Sequence, residues 1–364
     1  MRCEMKNSMS TRAIRILFAF IVLQLPMAGY CDSGSGWMKN LFESKGKNMK
    51  EVAHKVAELH EDQNIEIWGL DFSPDGKYLA ATSPTTLEVQ IWDWQNKRIV
   101  RTLEQAQGSG FETDIRYSPD GHLLVACHNL AQGDVVIRIW NTDTWKIVHD
   151  ITAINDGSCK AIGFTPDGKS LIGVHERNPV AAGDTLTAYD TSTWQPVWGL
   201  RTVPFHPDTL TLSPDGKFAA IAGLAYDITG KETVQISIVD LGQRKIIRTI
   251  QDYAGHLAWS PDGTYVTAAA GGGVKVFDVH AGKQVADEPL KSAHMAVRYT
   301  ADGKYLLESD MDALGNGLGV RIWDGQHREL LQVISGNVGS LAVSRDGHYF
   351  AAGSFKNISI WQLK

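Results

Sequence analysis

The chain has 364 residues, of which 43% are hydrophobic and 21% charged, and its formal net charge is −6 at pH 7. This length and composition allow a packed core in one or two domains. No run of lysine and arginine interleaves with aromatic residues, which argues against a nucleic-acid backbone as a partner.

The amino terminus has the features of a secretory signal. Two arginines precede the apolar run 16–23, and the small residues Ala28 and Gly29 follow it. The apolar run is short for a bilayer span. We therefore predict a signal peptide over 1–31, export to the periplasm or the medium, and no integral membrane span after cleavage. The alternatives are an uncleaved anchor and a lipoprotein modified at Cys31.

The segment after the predicted signal peptide lacks an apolar pattern. Residues 32–50 are rich in Gly, Ser, Asn and Lys, which predicts a flexible linker. The apolar spacing in 52–59 suits a helix. However, Val56–Leu59 also copies an edge-strand pattern that returns later, for example at Val100–Leu103. Both interpretations are open at this point.

From residue 51 to the end, one tight turn organises the chain. Ser or Thr opens it with a hydroxyl, Pro presets the next φ, and Asp-Gly closes it, with Gly at positive φ. The turn aspartates are 40 to 48 residues apart. The seven copies are Phe72–Gly76, Tyr117–Gly121, Phe164–Gly168, Leu212–Gly216, Trp259–Gly263, Tyr299–Gly303 and Val343–Gly347.

Each repeat carries the pattern of three strands, and every repeat but the last is followed by a fourth. An apolar strand precedes the turn, a strand of small residues follows it, and a third strand ends in an aromatic and a polar residue, as at Ile91–Asp93. This period and order are typical of propeller blades. The last repeat ends at Lys364 without a fourth strand. We therefore choose the strand interpretation for 52–59, which supplies that missing strand and buries Val56 and Leu59. The prediction is an all-β, seven-bladed β-propeller over 51–364, closed by an N-terminal strand.

The third strands resemble those of the WD-repeat family, most clearly at Ile91–Asp93, Ile139–Asn141 and Ile322–Asp324. The family usually has a Gly-His pair twelve residues before the turn aspartate, and this chain lacks that pair in every repeat. The resemblance therefore implies a divergent propeller in which the family's buried His–Ser–Asp–Trp network does not form in its usual way.

Propeller topology places two kinds of connection on one face, around the mouth of the central channel. These are the loops between second and third strands and the connections that enter each first strand. We call this the mouth face and the opposite one the turn face. Long mouth-face connections are expected at 176–184, 226–233 and 310–319. Because loops and aromatic residues dominate interfaces, the predicted partner-binding residues are Trp68, Phe111, Arg177, Phe205, His206, Tyr226 and Tyr253. The alternative for the aromatic residues is core packing where strands begin.

Metal binding has only weak candidates. His128, His175 and His256 map near the mouth, and Asp310 and Asp312 offer oxygen ligands for calcium. Their spacing fits no ligand signature, so we predict no metal and no cofactor.

Two further pairings are open to test. Cys127 and Cys159 fall on strands that pack together, either as a disulfide or as two small buried side chains. Asp71 and Arg116 share one position in adjacent repeats, which predicts an ion pair between blades.

The sequence contains no nucleophile elbow, zinc-protease motif, Cys-x-x-Cys pair or phosphate loop. We therefore predict an exported, monomeric, non-enzymatic platform that binds another protein through its mouth face. The alternative is an exported propeller enzyme, either a lactonase-like hydrolase or a quinone- or metal-dependent oxidoreductase.

Overall fold

The computed structural model describes residues 50–60, 66–83, 88–104, 109–130, 135–153, 158–176, 184–201, 206–226, 231–270, 273–289, 293–311, 317–325, 329–354 and 357–364. The signal peptide predicted over 1–31 and nearly all of the linker predicted over 32–50 lie outside these residues. Within the described part of the chain, no helix is long and apolar enough to cross a membrane.

The described residues form seven antiparallel sheets of four strands each. The amino-terminal strand is β1 (Ala53–His60). Blade one contains β2 (Gly69–Phe72), β3 (Tyr78–Ser83), β4 (Glu88–Asp93) and β5 (Arg98–Glu104), and blade two contains β6 (Ser109–Tyr117), β7 (Leu123–Leu130), β8 (Val135–Asn141) and β9 (Lys146–Ala153). Blade three contains β10 (Ser158–Phe164), β11 (Ser170–Glu176), β12 (Leu186–Asp190) and β13 (Pro196–Leu200).

The remaining four blades follow the same order. Blade four contains β14 (His206–Leu212), β15 (Phe218–Tyr226), β16 (Glu232–Asp240) and β17 (Lys245–Ile250), and blade five contains β18 (His256–Trp259), β19 (Tyr265–Ala270), β20 (Gly273–Asp278) and β21 (Lys283–Pro289). Blade six contains β22 (Ala293–Tyr299), β23 (Tyr305–Met311), β24 (Gly317–Asp324) and β25 (Leu330–Ser335). Blade seven contains β26 (Ser340–Val343), β27 (Tyr349–Gly353), β28 (Asn357–Leu363) and β1.

The first strand of each blade contacts the first strands of both neighbouring blades, and β26 of blade seven contacts β2 of blade one. The sheets are therefore arranged in a closed ring, with the first strands innermost. Apolar side chains of facing sheets form the core between blades; Leu70 and Phe72 of blade one, for example, pack with Ala342 and Ala351 of blade seven. The predicted all-β, seven-bladed propeller is confirmed.

The repeated turn has the predicted hydrogen bonds. In blade one the amide of Gly76 donates to the Ser73 carbonyl at 2.8 Å, and the amide of Ser73 donates to the Tyr78 carbonyl at 2.9 Å. The Ser73 hydroxyl donates to the Asp75 carboxylate at 2.7 Å. The closing glycines of all seven turns have φ between 70° and 80°, a region that side chains disfavour. The Asp-Gly pair therefore marks the sharp reversal between first and second strands.

The N-terminal strand closes the ring as predicted. β1 pairs antiparallel with β28, with Lys55 opposite Trp361 and Leu59 opposite Ile358. Leu59 is 1% exposed. The expected burial of Val56 is wrong, because Val56 is the extra residue of a bulge in this pairing and its side chain is 37% exposed. A single extra residue reverses which side of the sheet a strand position faces.

The same bulge occurs at the equivalent place in the outer strand of every blade, and an aliphatic residue occupies it each time. The extra residues are Val100, Val148, Val197, Ile247, Val285, Leu331 and Val56. Bulges blunt an open sheet edge and so hinder pairing with another chain.

Blade six holds the beginning of β1. The Gln332 side-chain oxygen accepts the amides of Val52 and Ala53 at 2.7 and 2.8 Å, and its nitrogen donates to the Ala53 carbonyl at 3.0 Å. Val52 also packs in one core cluster with Leu331, which is buried for this reason. The closing strand is thus attached to blades six and seven.

Cys127 of β7 and Cys159 of β10 form a disulfide that links blades two and three. The sequence leaves open whether these cysteines form a disulfide or are two small buried side chains, and the structure contains the disulfide.

Candidate interaction face

Three strand pairs extend further toward the mouth face than the sequence predicts. In blade four, Tyr226 pairs with Glu232 at the end of a continuous ladder, so Tyr226, Glu232 and Thr233 of the loop predicted over 226–233 lie in strands. In blade six, Asp310 and Gly319 pair between β23 and β24, and in blade three Glu176 ends β11. In all three blades the backbone hydrogen bonds between strands continue past the last apolar residue. The strands are therefore longer, and the predicted loops shorter, than the sequence pattern indicates.

An exposed tyrosine lies on the mouth face at the boundary between blades four and five. Tyr253 precedes β18, is 37% exposed, and hydrogen-bonds through its hydroxyl to the carboxylate of Asp208 in β14. Burial of the hydroxyl and the neighbouring Asp208 raise the pKa of Tyr253 to about 12. The phenol is therefore neutral at physiological pH and can donate to Asp208.

A bulge brings Asp208 to this position. Asp208 is the extra residue between Pro207 and Thr209 in the pairing of β14 with β15, and it is exposed. Opposite the bulge, a Cβ at Gly223 would overlap the carbonyl oxygen of His206. Glycine at this place therefore lets the two backbones approach as the bulge requires.

The backbone beside the tyrosine is fixed by an ion pair. Lys275 of β20 donates to both carboxylate oxygens of Asp252, at 2.7 and 3.0 Å. The Oδ1 oxygen of the same carboxylate, which accepts Lys275 at 3.0 Å, also accepts the amide of Tyr253 at 2.9 Å. Tyr253 is thus held at its backbone by Asp252 and at its hydroxyl by Asp208, so the ring is ordered before any partner arrives.

The other predicted binding residues are distributed around the mouth. Trp68 and His206 are half-buried just before β2 and at the start of β14. Phe111 and Tyr226 are strand positions whose side chains are outside the described part of the structure, and Arg177 and Phe205 lie entirely outside it. The structure therefore brings His206 and Tyr253 to one blade boundary, and the binding role of the full set stays a prediction.

Sequence reasoning missed Asp208, Asp252 and Lys275, which position the tyrosine. The two aspartates and the lysine are isolated polar residues with no motif around them. The bulge at Asp208 and the ion pair between Lys275 and Asp252 place them around the tyrosine.

The histidine candidates for metal binding are core residues. His128 and His175 are 0% and 1% exposed in β7 and β11, beside the disulfide cysteines Cys127 and Cys159. Burial lowers the pKa of His128 to about 3, with Arg138 adding to the effect, and that of His175 to about 4. Both imidazoles are therefore neutral over the physiological range.

The remaining metal candidates are not grouped either. His256 is half-buried at the start of β18, Asp310 contacts Arg321 inside blade six, and Asp312 lies outside the described residues. Among the residues that the structure describes, there is no group of three or more His, Cys, Asp or Glu side chains placed to hold a metal ion.

Blade six contains a buried polar network in place of the one typical of the resembled family. The Trp323 indole donates to the Glu308 carboxylate at 2.9 Å, and Arg321 lies 4.0 Å from the other oxygen of Glu308 while contacting Asp310. Glu308 and Asp310 are almost completely buried. Asp310 is thus part of a structural network.

The charge of Arg116 acts on Asp71, in line with the predicted pairing between blades, but each side chain makes its closest contacts elsewhere. Arg116 pairs with Asp114 of its own strand at 2.6 Å, while Asp71 accepts the amide of Tyr117 at 2.8 Å. Positions two apart in a strand share a side, so Asp114 is the nearer carboxylate for Arg116. Asp71 still links blades one and two, through the backbone.

Two segments of the chain, 54–93 and 245–278, match the family model described as WD domain, G-beta repeat. The first covers β1 and most of blade one, and the second covers the outer strand of blade four and the first three strands of blade five.

Two of the similar curated proteins are named as WD repeat-containing proteins. The WD repeat-containing protein WDS homolog of Arabidopsis thaliana is 25% identical over 283 residues, which is 75% of this chain and 50% of that protein. The WD repeat-containing protein VIP3 of the same plant is 27% identical over 101 residues, or 25% of this chain and 30% of that protein. Human echinoderm microtubule-associated protein-like 2 is 28% identical over 130 residues, which is 35% of this chain and 19% of that protein.

The chain spans half or less of the length of these relatives. Its seven four-stranded sheets in a closed ring define a β-propeller. This β-propeller is similar to WD-repeat proteins, both in its two matched segments and in the curated proteins above.

Proposed function

We propose that this propeller is an exported, non-enzymatic platform that binds another protein through its mouth face, at the boundary of blades four and five. The observation that carries the proposal is Tyr253, an exposed aromatic residue held at its hydroxyl by Asp208 and at its backbone by Asp252. Tyrosine is enriched among interface hot spots. An aromatic ring that is already ordered loses little entropy when a partner binds.

The similar proteins support a binding role, because WD-repeat propellers generally serve as scaffolds for protein interactions. The closed ring supports it as well: a rigid scaffold presents its loops without having to be ordered by the partner.

Export is supported by two features. The amino terminus has two arginines, an apolar run and small residues in the order of a secretory signal. The disulfide between Cys127 and Cys159 is the kind of bond that persists in oxidising compartments. The intact mass of the protein from its native host tests this part. A chain that begins between Gly29 and Gly34 supports export, and a chain that begins at Met1 or Met9 contradicts it.

The binding role is tested by comparing partner capture between variants of the exported protein. The variant combines Tyr253→Ala with Asp208→Ala, and Val285→Ala on the outer strand of blade five, 52% exposed, is the matched control. The wild-type protein should capture its partner stoichiometrically. We expect the affinity of the double variant for that partner to be at least tenfold lower, since a hot-spot truncation costs roughly 2 kcal/mol or more. The control should capture as the wild type does.

Equal melting temperatures of the two variants are needed to attribute the loss to the interface. Undiminished capture by a folded double variant contradicts the proposed face. Hydrolysis of lactones, or a stoichiometric metal needed for turnover, contradicts the non-enzymatic role.

A further inference from the structure

A groove opens on the turn face between blades five and six. Its volume is about 480 Å³, and small-molecule sites in proteins span roughly 300–1,000 Å³. Asp262 and Tyr265 of blade five line one side, and Asp302, Gly303 and Gly325 of blade six line the other. The groove therefore combines an aromatic ring, two carboxylates and exposed backbone.

The groove exists because blade six has a glycine where other blades have a large side chain. The residue after the third strand packs against the preceding blade. Trp94 of blade one contacts Tyr349 of blade seven, with ring centroids 5.0 Å apart. Leu241 and Val279 lie in the cores that blades four and five share with the blades before them. Blades two and three place a tryptophan from the same turn against the preceding blade. Gly325 cannot fill this space.

The aromatic wall of the groove is Tyr265, the counterpart of the tyrosine that Trp94 covers. Tyr265 begins the second strand of blade five as Tyr349 begins that of blade seven, and it is half-buried. Tyr299 lines the groove as well, and its hydroxyl is fixed by a hydrogen bond to the Thr267 hydroxyl at 2.7 Å. A flat group thus covers the tyrosine at one blade boundary, and a groove takes its place at the other.

The two carboxylates at the groove differ from the other turn aspartates in their cations. Asp262 is followed two residues later by Thr264, where the other six turns have Lys or His. Asp302 has Lys304 at that position, but the Lys304 ammonium donates to the Lys364 carbonyl at 2.7 Å. Burial alone would raise the pKa of each carboxyl, but the hydrogen bonds of its turn lower it overall. Both groups are therefore ionised at neutral pH.

A third acceptor is the carbonyl oxygen of Gly303. A Cβ at Gly325 would overlap this oxygen, so it points into the space that a side chain takes in other blades. The equivalent carbonyl in blade one, that of Gly76, accepts the Trp94 indole N–H at 2.8 Å. Among the residues that the structure describes, nothing donates to the Gly303 carbonyl. Trp94 thus shows which chemistry suits this boundary: a flat group that stacks on tyrosine and donates an N–H.

We propose that the groove between blades five and six binds a small molecule that carries a guanidinium group. A guanidinium is planar, has five N–H donors and no acceptor, and stacks on aromatic faces. It therefore suits both the tyrosine ring and the three acceptors. The propeller contains one such stack of its own, because Arg244 of blade four lies over the Trp198 ring of blade three, 5.9 Å from its centroid.

This site lies on the face opposite the proposed protein-binding face. It does not rest on that role, and the two can fail separately.

Calorimetric titration of the purified protein with agmatine at low ionic strength tests the proposal. Agmatine carries a guanidinium and an ammonium on a four-carbon chain and has no carboxylate for the aspartates to repel. We expect saturable binding of one agmatine per chain. 1,4-Diaminobutane has the same charge without the planar group, so it should bind more weakly. Absence of saturable agmatine binding, or equal affinity for the two compounds, overturns the proposal without any variant.

Variants then locate the site. Asp262→Asn should weaken agmatine binding roughly tenfold, because it removes a charge-assisted contact. The matched control is Asp215→Asn in the turn of blade four, which has the same Ser-Pro-Asp-Gly sequence and whose aspartate pairs with Lys217 at 3.1 Å. It should bind as the wild type does. Undiminished binding by Asp262→Asn, or an equal loss in both variants, overturns the site.

A second pair of variants tests the stacking. Tyr265→Phe keeps the ring and should retain the affinity for agmatine, whereas Tyr265→Leu should weaken it severalfold. Equal affinity in two folded variants, with melting temperatures close to that of the wild type, overturns the role of the ring.

Discussion

The guanidinium of Arg345, in the turn of blade seven, donates to the carbonyl oxygen of Pro119, in the turn of blade two, at 2.7 Å. A second nitrogen donates to the Ser118 carbonyl at 3.3 Å. In the first five turns this position holds a proline that packs toward the next turn, as Pro74 does near Gly121. Arg345 departs from that pattern and connects blades that are not neighbours.

This contact predicts a stabilising role for Arg345 at the seam of the ring. Arg345→Ala should lower the free energy of unfolding by about 1–2 kcal/mol, since it removes two charge-assisted hydrogen bonds. Arg101→Ala, which removes an exposed arginine from the outer strand of blade one, should change it by less than about 0.5 kcal/mol. Urea unfolding of the two variants compares them directly, and equal losses would contradict the role of the crossing contact.

Two residues of the closing strand should differ sharply in their effect on stability. Leu59→Ala should cost about 2–5 kcal/mol, because Leu59 is buried against blades one and seven. Val56→Ala should cost less than about 0.5 kcal/mol, because Val56 lies at a bulge on the surface.

Truncation provides a second measurement of ring closure. A chain that starts at Gln63 loses β1 and exposes the edge of β28, so it should melt early or aggregate. A chain that starts at Asn48 keeps the strand and should melt as the full chain does. Equal melting temperatures for the two truncated chains would show that β1 does not close the ring.

The buried histidines predict a loss of stability in mild acid. The pKa of His175 is about 4 in the folded protein and about 6.5 when unfolded. The unfolded chain therefore binds more protons below pH 6.5. Stability should be complete above pH 6.5 and fall as pH drops toward 4, by about 1.4 kcal/mol per pH unit for each such histidine.

Replacing one histidine separates this effect from other titrations. His175→Leu should reduce the slope of unfolding free energy against pH between 6.5 and 4. Val148→Leu, at an exposed position on the outer strand of blade two, replaces no titratable group and should leave the slope unchanged. An unaltered slope in His175→Leu would show that His175 does not titrate on unfolding.

The disulfide should contribute a measurable part of the stability. Cys127→Ala with Cys159→Ala, or reduction of the wild type, should lower the free energy of unfolding by about 2–4 kcal/mol. The double variant itself should not respond to reductant. Thiol labelling of unreduced protein from the native host should leave both cysteines unlabelled, and labelling of both would contradict a disulfide in the native protein.

The sequence predicts the ring well because its decisive signals are local. Asp75 and Gly76 specify their own turn, and the missing fourth strand after Trp361 points to the segment at Val56–Leu59. The bulges are not predictable in this way, because the register of a strand is set by the strand it pairs with. Val56 therefore faces solvent against expectation.

Bulges also limited prediction of the candidate site. The position of Asp208 beside Tyr253 depends on a bulge in β14 that no turn motif announces. Arg116 was assigned to Asp71 because the two share an offset from the turn, while Asp114 is closer along its own strand. Equal spacing in a repeat identifies equivalent positions, but it does not identify which side chains touch.

Site-specific photocrosslinking shows which face of the propeller touches the partner. A photoreactive aromatic amino acid is placed at position 253 on the mouth face, at position 77 in an exposed turn on the opposite face, or at position 197 on an outer strand. Each variant is expressed in the native host and irradiated. We expect a crosslinked protein adduct from position 253 and none from 77 or 197. Adducts from 77 or 197 with none from 253 would contradict binding through the mouth face.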